Sequence, residues 1–484
     1  MHIVAGQDQT VDTLIYPLFE EDLAHHLAYE VRPHMKQRGQ TTWFFGQRGE
    51  QHLLVVGMGK RTDFQAERLR EAAGNAGRAA EREGVRSVGV KLEALQVLAA
   101  NELTMASLIT AWVEGWLLGT YVFDTYKSKK TVRTIEQMQL HVDASSEIDE
   151  AIMTGRIRAK GTIFTREMVN EPANQLNPDS FVERIQAHYA EGKAQLRVYR
   201  GEQLEQLQMR GLITVGQGSP HPPAFVELRY CTDPSLPLTA LVGKGVTFDM
   251  GGMNVKSGKD ISDARFDMGG AAAVLGAMDI LMELEVKTNV VALLVIAENV
   301  PDGAAYLPSD IIQYPNGISV QVGNTDGEGR LMLADALLYA HRIGAQEVVE
   351  LATLTGTIGV ALGLGIAGIF GNEGLSHALI RAGEKSGDRL WPLPIIDEYE
   401  TFLKSDYADL NNNSSSPYGG AIMAALFLRH FVDPSQRWVH IDMANTVQAH
   451  AACGHYIPGA TGYGARLLTD YIMERSASYM QGGM

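Results

Sequence analysis

The chain has 484 residues, 45% hydrophobic and 20% charged, proportions ordinary for a folded globular protein long enough for two or three domains. Its formal net charge of -16 argues against broad contact with nucleic acid or an anionic membrane, because phosphate recognition needs a basic patch and none stands out. Only Cys231 and Cys453 occur, far apart and outside any C-x-x-C pair, which speaks against a disulfide framework and favours a reducing, cytoplasmic setting.

The first thirty residues carry Asp8, Asp12, Glu20, Glu21 and Asp22 without a basic start or a long apolar run, so no secretory signal is expected. Up to about residue 150, strand-like runs at Leu53–Val56 and Ser87–Val90 alternate with helical stretches at Asp63–Glu83 and Glu102–Leu118, predicting a small α/β domain. A charged, helix-like stretch over Glu147–Ala159 leads into Asn170-Glu171-Pro172-Ala173-Asn174, whose Pro and Asn favour a loop. The expected organisation is an N-terminal domain at 1–150, a linker helix at 151–170 and a catalytic domain at 171–484.

In that last part, strands at Leu241–Gly243, Val290–Ala297, Ile318–Val322, Val348–Leu351 and Trp438–Ile441 alternate with helical patterns such as Ala271–Leu284 and Leu331–Ile343. The alternation predicts a mixed, mostly parallel sheet flanked by helices, with ligands at the carboxyl ends of its strands. The run Leu351–Asn372 holds no charge and is long enough to cross a bilayer. Its six glycines (Gly356, Gly359, Gly363, Gly365, Gly368, Gly371) oppose an isolated helix, so it reads as buried strand, loop and short helix.

Between residues 244 and 330, charges interrupt apolar, Gly-rich segments: Lys244, Asp249, Lys256, Asp267, Asp326, Glu328 and Arg330. Charges set against buried strands need partners. Asp326 and Glu328, two residues apart in a loop, can face one cavity, where two carboxylates repel unless a proton or cation intervenes. With Asp249 and Asp267 added, four carboxylates suit two divalent ions such as Mn²⁺, Mg²⁺ or Zn²⁺. Lys244 fits such a site if burial and metal depress its pKa enough for the neutral amine to ligate. Lys256 then offers positive charge to a substrate and Arg330 a fork for an anion. Taken one at a time, each of these residues is more ordinarily a cap, a turn former or a solvated charge, and only the joint pattern points to chemistry.

Several blocks carry a resemblance: Gly243-Lys244-Gly245-Val246-Thr247-Phe248-Asp249-Met250-Gly251-Gly252, Asn254-Val255-Lys256, Phe266-Asp267-Met268-Gly269-Gly270 and Asn324-Thr325-Asp326-Gly327-Glu328-Gly329-Arg330-Leu331. In residues and spacing they resemble the leucyl (cytosol) aminopeptidase family, M17, and weaker similarity extends over most of residues 165 to 470. The resemblance implies a smaller, macro-like N-terminal α/β domain and a larger catalytic domain. It implies two divalent metal ions per subunit, Mn²⁺ or Zn²⁺ with Mg²⁺ and Co²⁺ as further options. One site would use Asp249, Asp326 and Glu328, the other Lys244, Asp249, Asp267 and Glu328. A hydroxide bridging the ions would attack the peptide, Lys256 would stabilise the oxyanion, and Arg330 would hold a bicarbonate that shuttles the proton. Thr353, Leu354, Gly356 and Ala264 would line the substrate site. Peptides with a free N-terminus are the implied substrates and a homohexamer the implied assembly, with neither membrane nor nucleic-acid binding expected.

This chain departs from the family pattern at Met250, Gly327, Ala264 and Pro417. Ala264 stands where a larger apolar side chain often borders the side-chain pocket, suggesting an enlarged pocket and a preference for Leu and other bulky apolar N-terminal residues. Pro417 replaces an Arg, so the loop Asn411–Tyr418 is expected to shape entry differently. Weaker signals are set aside: Gly363-Leu364-Gly365-Ile366-Ala367-Gly368 matches a dinucleotide fingerprint without a preceding strand, and His450, Cys453 and His455 lack a fourth ligand. Two other classes stay open at this stage, a catalytically silent or DNA-binding member and a two-metal phosphoesterase, though the latter usually adds histidine ligands.

Overall fold

The computed structural model describes every residue except 7–9, 26, 48–49, 93–94, 96–102, 259 and 483–484. The chain forms two compact units, one of residues 1–163 with 449–459, the other of residues 164–448 with 460–484. In the first, β1 (His2–Ala5), β2 (Thr13–Phe19), β3 (Thr41–Phe44), β4 (His52–Gly59), β5 (Ser87–Lys91) and β6 (Gln137–His141) form one sheet in the order β1-β6-β5-β2-β4-β3. All neighbours are parallel except β3, which runs antiparallel to β4. The expected helices appear at Ala66–Glu83 and Met105–Thr120, and Glu102, the expected start of the second, lies outside the described residues.

The second unit is built on eight strands: β7 (Gln195–Tyr199), β8 (Ala224–Cys231), β9 (Thr239–Asp249) and β10 (Asn289–Asn299), later β13 (Glu347–Ala352), β14 (Ala367–Gly371), β15 (Leu390–Pro392) and β17 (Arg437–Asp442). Their order is β15-β14-β17-β13-β9-β10-β8-β7. The central four, β17-β13-β9-β10, are parallel, and antiparallel neighbours flank them, β14 on β17 and β8 on β10. Parallel strands are covered on both faces and so read as continuous apolar runs, and every residue from Val290 to Ala297 of β10 is buried. The helices Gly269–Glu283 and Glu328–Arg342 belong to that cover.

One expectation needs correction. The apolar run Ile318–Val322 does not join the main sheet; its core is β12 (Ser319–Gln321), which pairs antiparallel with β11 (Ile311–Gln313) and parallel with β16 (Leu410–Asn411) in a separate three-stranded sheet. Local apolarity marks a buried strand but carries no information about which sheet buries it. The uncharged run from Leu351 is the end of β13, a helix at Gly356–Leu362 and then β14. Among the described residues no helix is long and apolar enough to cross a membrane. The Gly363–Gly368 motif joins a helix to a strand, the reverse of the strand–turn–helix order that dinucleotide binding requires.

Candidate metal centre

The carboxyl ends of the four parallel strands converge: Asp249 closes β9, Asn299 closes β10, Thr353 follows β13 and Asp442 closes β17. Lys244 is not at this edge, as its position after an apolar run suggested, but inside β9 opposite Val295, and its long stem brings the amine to the site. Two further segments complete the cavity. Asp267 sits near the end of the 3₁₀ helix Ser262–Met268, and Glu328 is the first residue of the helix Glu328–Arg342, preceded by the Asp326 loop. Gly329 permits that approach, since a Cβ there would lie 2.7 Å from Lys244 Cε. Gly251 turns the chain away from Asp249 with φ of 87°, a left-handed conformation that glycine adopts at little cost.

The cavity has a volume of about 390 Å³. Its lining includes Lys244, Asp249, Lys256, Asp267, Asp326 and Glu328, together with Ala264, Thr353, Leu354 and Gly356. Arg330 is absent from the wall; its Nη1 donates to the Asn412 carbonyl at 2.9 Å, and its Nε is buried without a partner. Lining residues that sequence reasoning passed over include Asp260, Asp263, Ala444 and Val447. Of these, only the two aspartates ahead of Asp267 offered a local signal.

Charge is unevenly balanced here. Lys244 Nζ lies 2.9 Å from Asp267 Oδ1, 2.7 Å from Glu328 Oε1 and 2.9 Å from the Thr353 carbonyl oxygen. Lys256 Nζ lies 2.8 Å from Asp249 Oδ2 and 2.5 Å from Asp326 Oδ1. Four carboxylates thus share two ammonium groups. Burial disfavours the Lys244 ammonium, as expected, but Asp267, Glu328 and Asp249 outweigh it and hold its pKa above the ordinary value. The expected depression therefore does not follow from burial alone; it requires cations that compete for the same carboxylates. Lys256 is likewise raised, with Asp249 and Asp326 overcoming burial. Burial and the nearby Asp249 carboxylate push Asp326 and Glu328 upward, and burial, against the pull of Lys244, pushes Asp267 well upward.

Neutral groups hold the acids in place. Asn299 Nδ2 and the Gly251 amide each donate to Asp249 Oδ1 at 2.9 Å. Thr325 accepts from the Asn254 amide at 2.7 Å and donates to the Gly251 carbonyl at 2.6 Å, while Tyr306 donates to the Thr325 carbonyl at 2.6 Å. Asp442 accepts from the Leu354 and Thr355 amides at 3.2 Å each and from the Thr355 hydroxyl at 2.6 Å, fixing the turn that carries Thr353.

The donor set fits divalent metal. One oxygen each from Asp249, Asp326 and Glu328 lie within 4.8 Å of one another, and Glu328 Oε2 is buried without a hydrogen-bond partner. Asp267 Oδ2 and Asp326 Oδ1 are buried with an ammonium group at 2.7 and 2.5 Å as their nearest countercharge. Buried carboxylate oxygens in that condition are costly, and a cation satisfies several at once. His450, Cys453 and His455 form no comparable group among the described residues.

A lysine-bearing carboxylate cavity at the edge of a parallel sheet defines a hydrolase-type metal centre, and comparison with known proteins identifies the family. The cytosol aminopeptidase family's catalytic domain matches residues 163–469 and its N-terminal domain residues 35–130. A probable cytosol aminopeptidase of Geotalea uraniireducens is 39% identical over 439 residues, 88% of this chain and 86% of that protein. One from Persephonella marina is 35% identical over 436 residues, 89% and 87% of the two chains. Among solved structures, the bottromycin maturation enzyme BotP in complex with Mn superposes with a TM-score of 0.85 at 31% identity, covering 96% of this chain and all of that one. The chain belongs to the cytosol aminopeptidase family, and its class is that of an aminopeptidase-type peptidase.

Proposed function

We propose that the protein is a two-metal exopeptidase that removes N-terminal residues, preferably Leu and other bulky apolar ones, from peptides with a free amine. The observation that carries the reading is the carboxylate excess around Lys244 and Lys256, with the buried Glu328 Oε2 left unpartnered. Asp249, Asp326 and Glu328 would hold one divalent ion, and Lys244, Asp249, Asp267 and Glu328 the other, Mn²⁺ and Zn²⁺ being the first candidates. When bound, the ions supply Lewis-acid polarisation of the scissile carbonyl and lower the pKa of water. Lys256, released from Asp249 and Asp326, presents its ammonium to the oxygen on which charge develops. Arg330, lowered from its ordinary pKa by burial and holding one sealed, unpartnered N–H, suits a small planar anion such as bicarbonate. Thr353, Leu354, Gly356 and Ala264 would border the substrate, the small Ala264 leaving room for a large side chain.

Family membership supports a homohexamer, which sedimentation would test, and the matches at 35–130 and 163–469 support an N-terminal domain at 1–150, a linker helix at 151–170 and a catalytic domain at 171–484. The decisive assay is p-nitroaniline release from Leu-p-nitroanilide with added Mn²⁺, beside N-acetyl-Leu-p-nitroanilide, Gly-p-nitroanilide, a phosphate ester and a DNA gel shift. Cleavage confined to unblocked substrates, faster for Leu than for Gly and abolished by EDTA, is expected. Equal cleavage of blocked and unblocked substrates would overturn the exopeptidase assignment.

A further inference from the structure

The polar run Asn411-Asn412-Asn413-Ser414-Ser415-Ser416 belongs to the loop expected to shape entry to the site, yet Asn412 is fully buried. Its Oδ1 accepts from the Gly323 amide at 2.8 Å and the Asn324 amide at 3.2 Å. Its Nδ2 donates to the Asn324 carbonyl at 2.7 Å and the Gly327 carbonyl at 3.2 Å. Those four bonds use every donor and acceptor site of the side-chain amide, all on one loop. The Asn412 backbone joins the same assembly: its amide donates to the Gln321 carbonyl at 3.1 Å, and its carbonyl accepts from Arg330 Nη1 at 2.9 Å.

The bridged loop is the one that carries Asp326 and leads into Glu328 and Arg330. Asp326 and Glu328 repel each other and are both disfavoured by burial, so their shared orientation needs an external constraint. Part of it is local, the Asn324 side chain accepting from the Asp326 amide at 2.8 Å. Asn412 supplies the long-range part, from a segment more than eighty residues away in sequence. It does not itself line the cavity. We infer that Asn412 is a positioning residue for the metal centre, holding the 323–327 loop so that Asp326 and Glu328 face one cation site and aiming Arg330 through its backbone carbonyl.

The inference rests on the two-metal reading, and its test separates the two. Mn²⁺ binding is measured by titration calorimetry on wild type, Asn412→Ala and Asn412→Asp, with thermal unfolding of each protein in EDTA and kcat and KM on Leu-p-nitroanilide. Groups that orient metal ligands typically account for 10–100-fold in affinity, so Asn412→Ala is expected to weaken Mn²⁺ about 10–100-fold. Asn412→Asp keeps both acceptor bonds but sets a carboxylate against two carbonyls, and is expected to lose at least as much. In both variants kcat falls while KM stays close to wild type, and higher Mn²⁺ recovers part of the loss. A role in stability alone would instead lower the unfolding temperature in EDTA and leave Mn²⁺ affinity unchanged, and that result overturns the inference. Should Asn412→Ala not fold, Asn412→Ser, which keeps an acceptor at Cβ, carries the same comparison. Wild-type protein that neither binds Mn²⁺ nor cleaves the substrate overturns the functional reading, whereas a competent wild type matched by its variants overturns this inference alone.

Discussion

Both units bury charge beside a parallel sheet, but they balance it differently. In the first, Glu114 is fully buried between Arg70 at 3.1 Å and Arg158 at 3.3 Å, and Glu67 lies 3.2 Å from Arg70 and 3.3 Å from His455 Nδ1, so each acid has a guanidinium group beside it. In the second, Asp249, Asp267, Asp326 and Glu328 meet, among the described residues, the two ammonium groups of Lys244 and Lys256. Where each acid has a guanidinium beside it, the protein itself supplies the countercharge. A cluster with excess negative charge calls for protons or cations, and that surplus, more than burial or pKa shift alone, marks where chemistry belongs.

Breaking the unmatched cluster should have the largest effect. Asp249→Ala or Glu328→Ala is expected to abolish Mn²⁺ binding and turnover together, measured by calorimetry and Leu-p-nitroanilide hydrolysis; either variant retaining both would remove the basis of the comparison. Breaking the matched cluster with Glu114→Gln removes the carboxylate that two buried guanidinium groups share and is expected to cost about 3–5 kcal/mol in denaturant unfolding, with kcat of the folded protein unchanged. A large loss of kcat without loss of stability would assign that cluster a role it lacks here.

Lys256→Ala tests the electropositive half of the cavity. It should retain metal and lower kcat roughly 100- to 1000-fold, as loss of an oxyanion donor does. An intact kcat would shift the oxyanion role elsewhere. The smallest effect is expected at Asp335, a buried acid whose Oδ2 accepts from the Leu212 amide at 2.8 Å and whose Oδ1 has no partner. Burial raises its pKa well above the ordinary value. The folded state therefore holds the proton more tightly than the unfolded state, so stability is lost as pH rises from the ordinary carboxylate range, about 4, toward the folded value. Asp335→Asn can keep the bond from Leu212 and should flatten that decline in unfolding free energy, read from denaturant unfolding at each pH, by roughly a kcal/mol. A pH profile parallel to wild type would place the titration at another group.

What sequence alone determined was the set of charged residues that the structure brings into one cavity, Lys244, Asp249, Lys256, Asp267, Asp326 and Glu328, because charges that interrupt apolar, Gly-rich strands have few structural explanations and their spacing is short. The helix–strand alternation of both units was legible for a related reason, since period and propensity are local properties. Tertiary structure alone decided that β12 lies outside the main sheet, that residues 449–459 join the first unit, and that Asn299, Asn412 and Asp442 hold the loops of the site. Those side chains act through hydrogen bonds to partners fifty to ninety residues distant, and a polar residue carries no mark of where along the chain its partner lies.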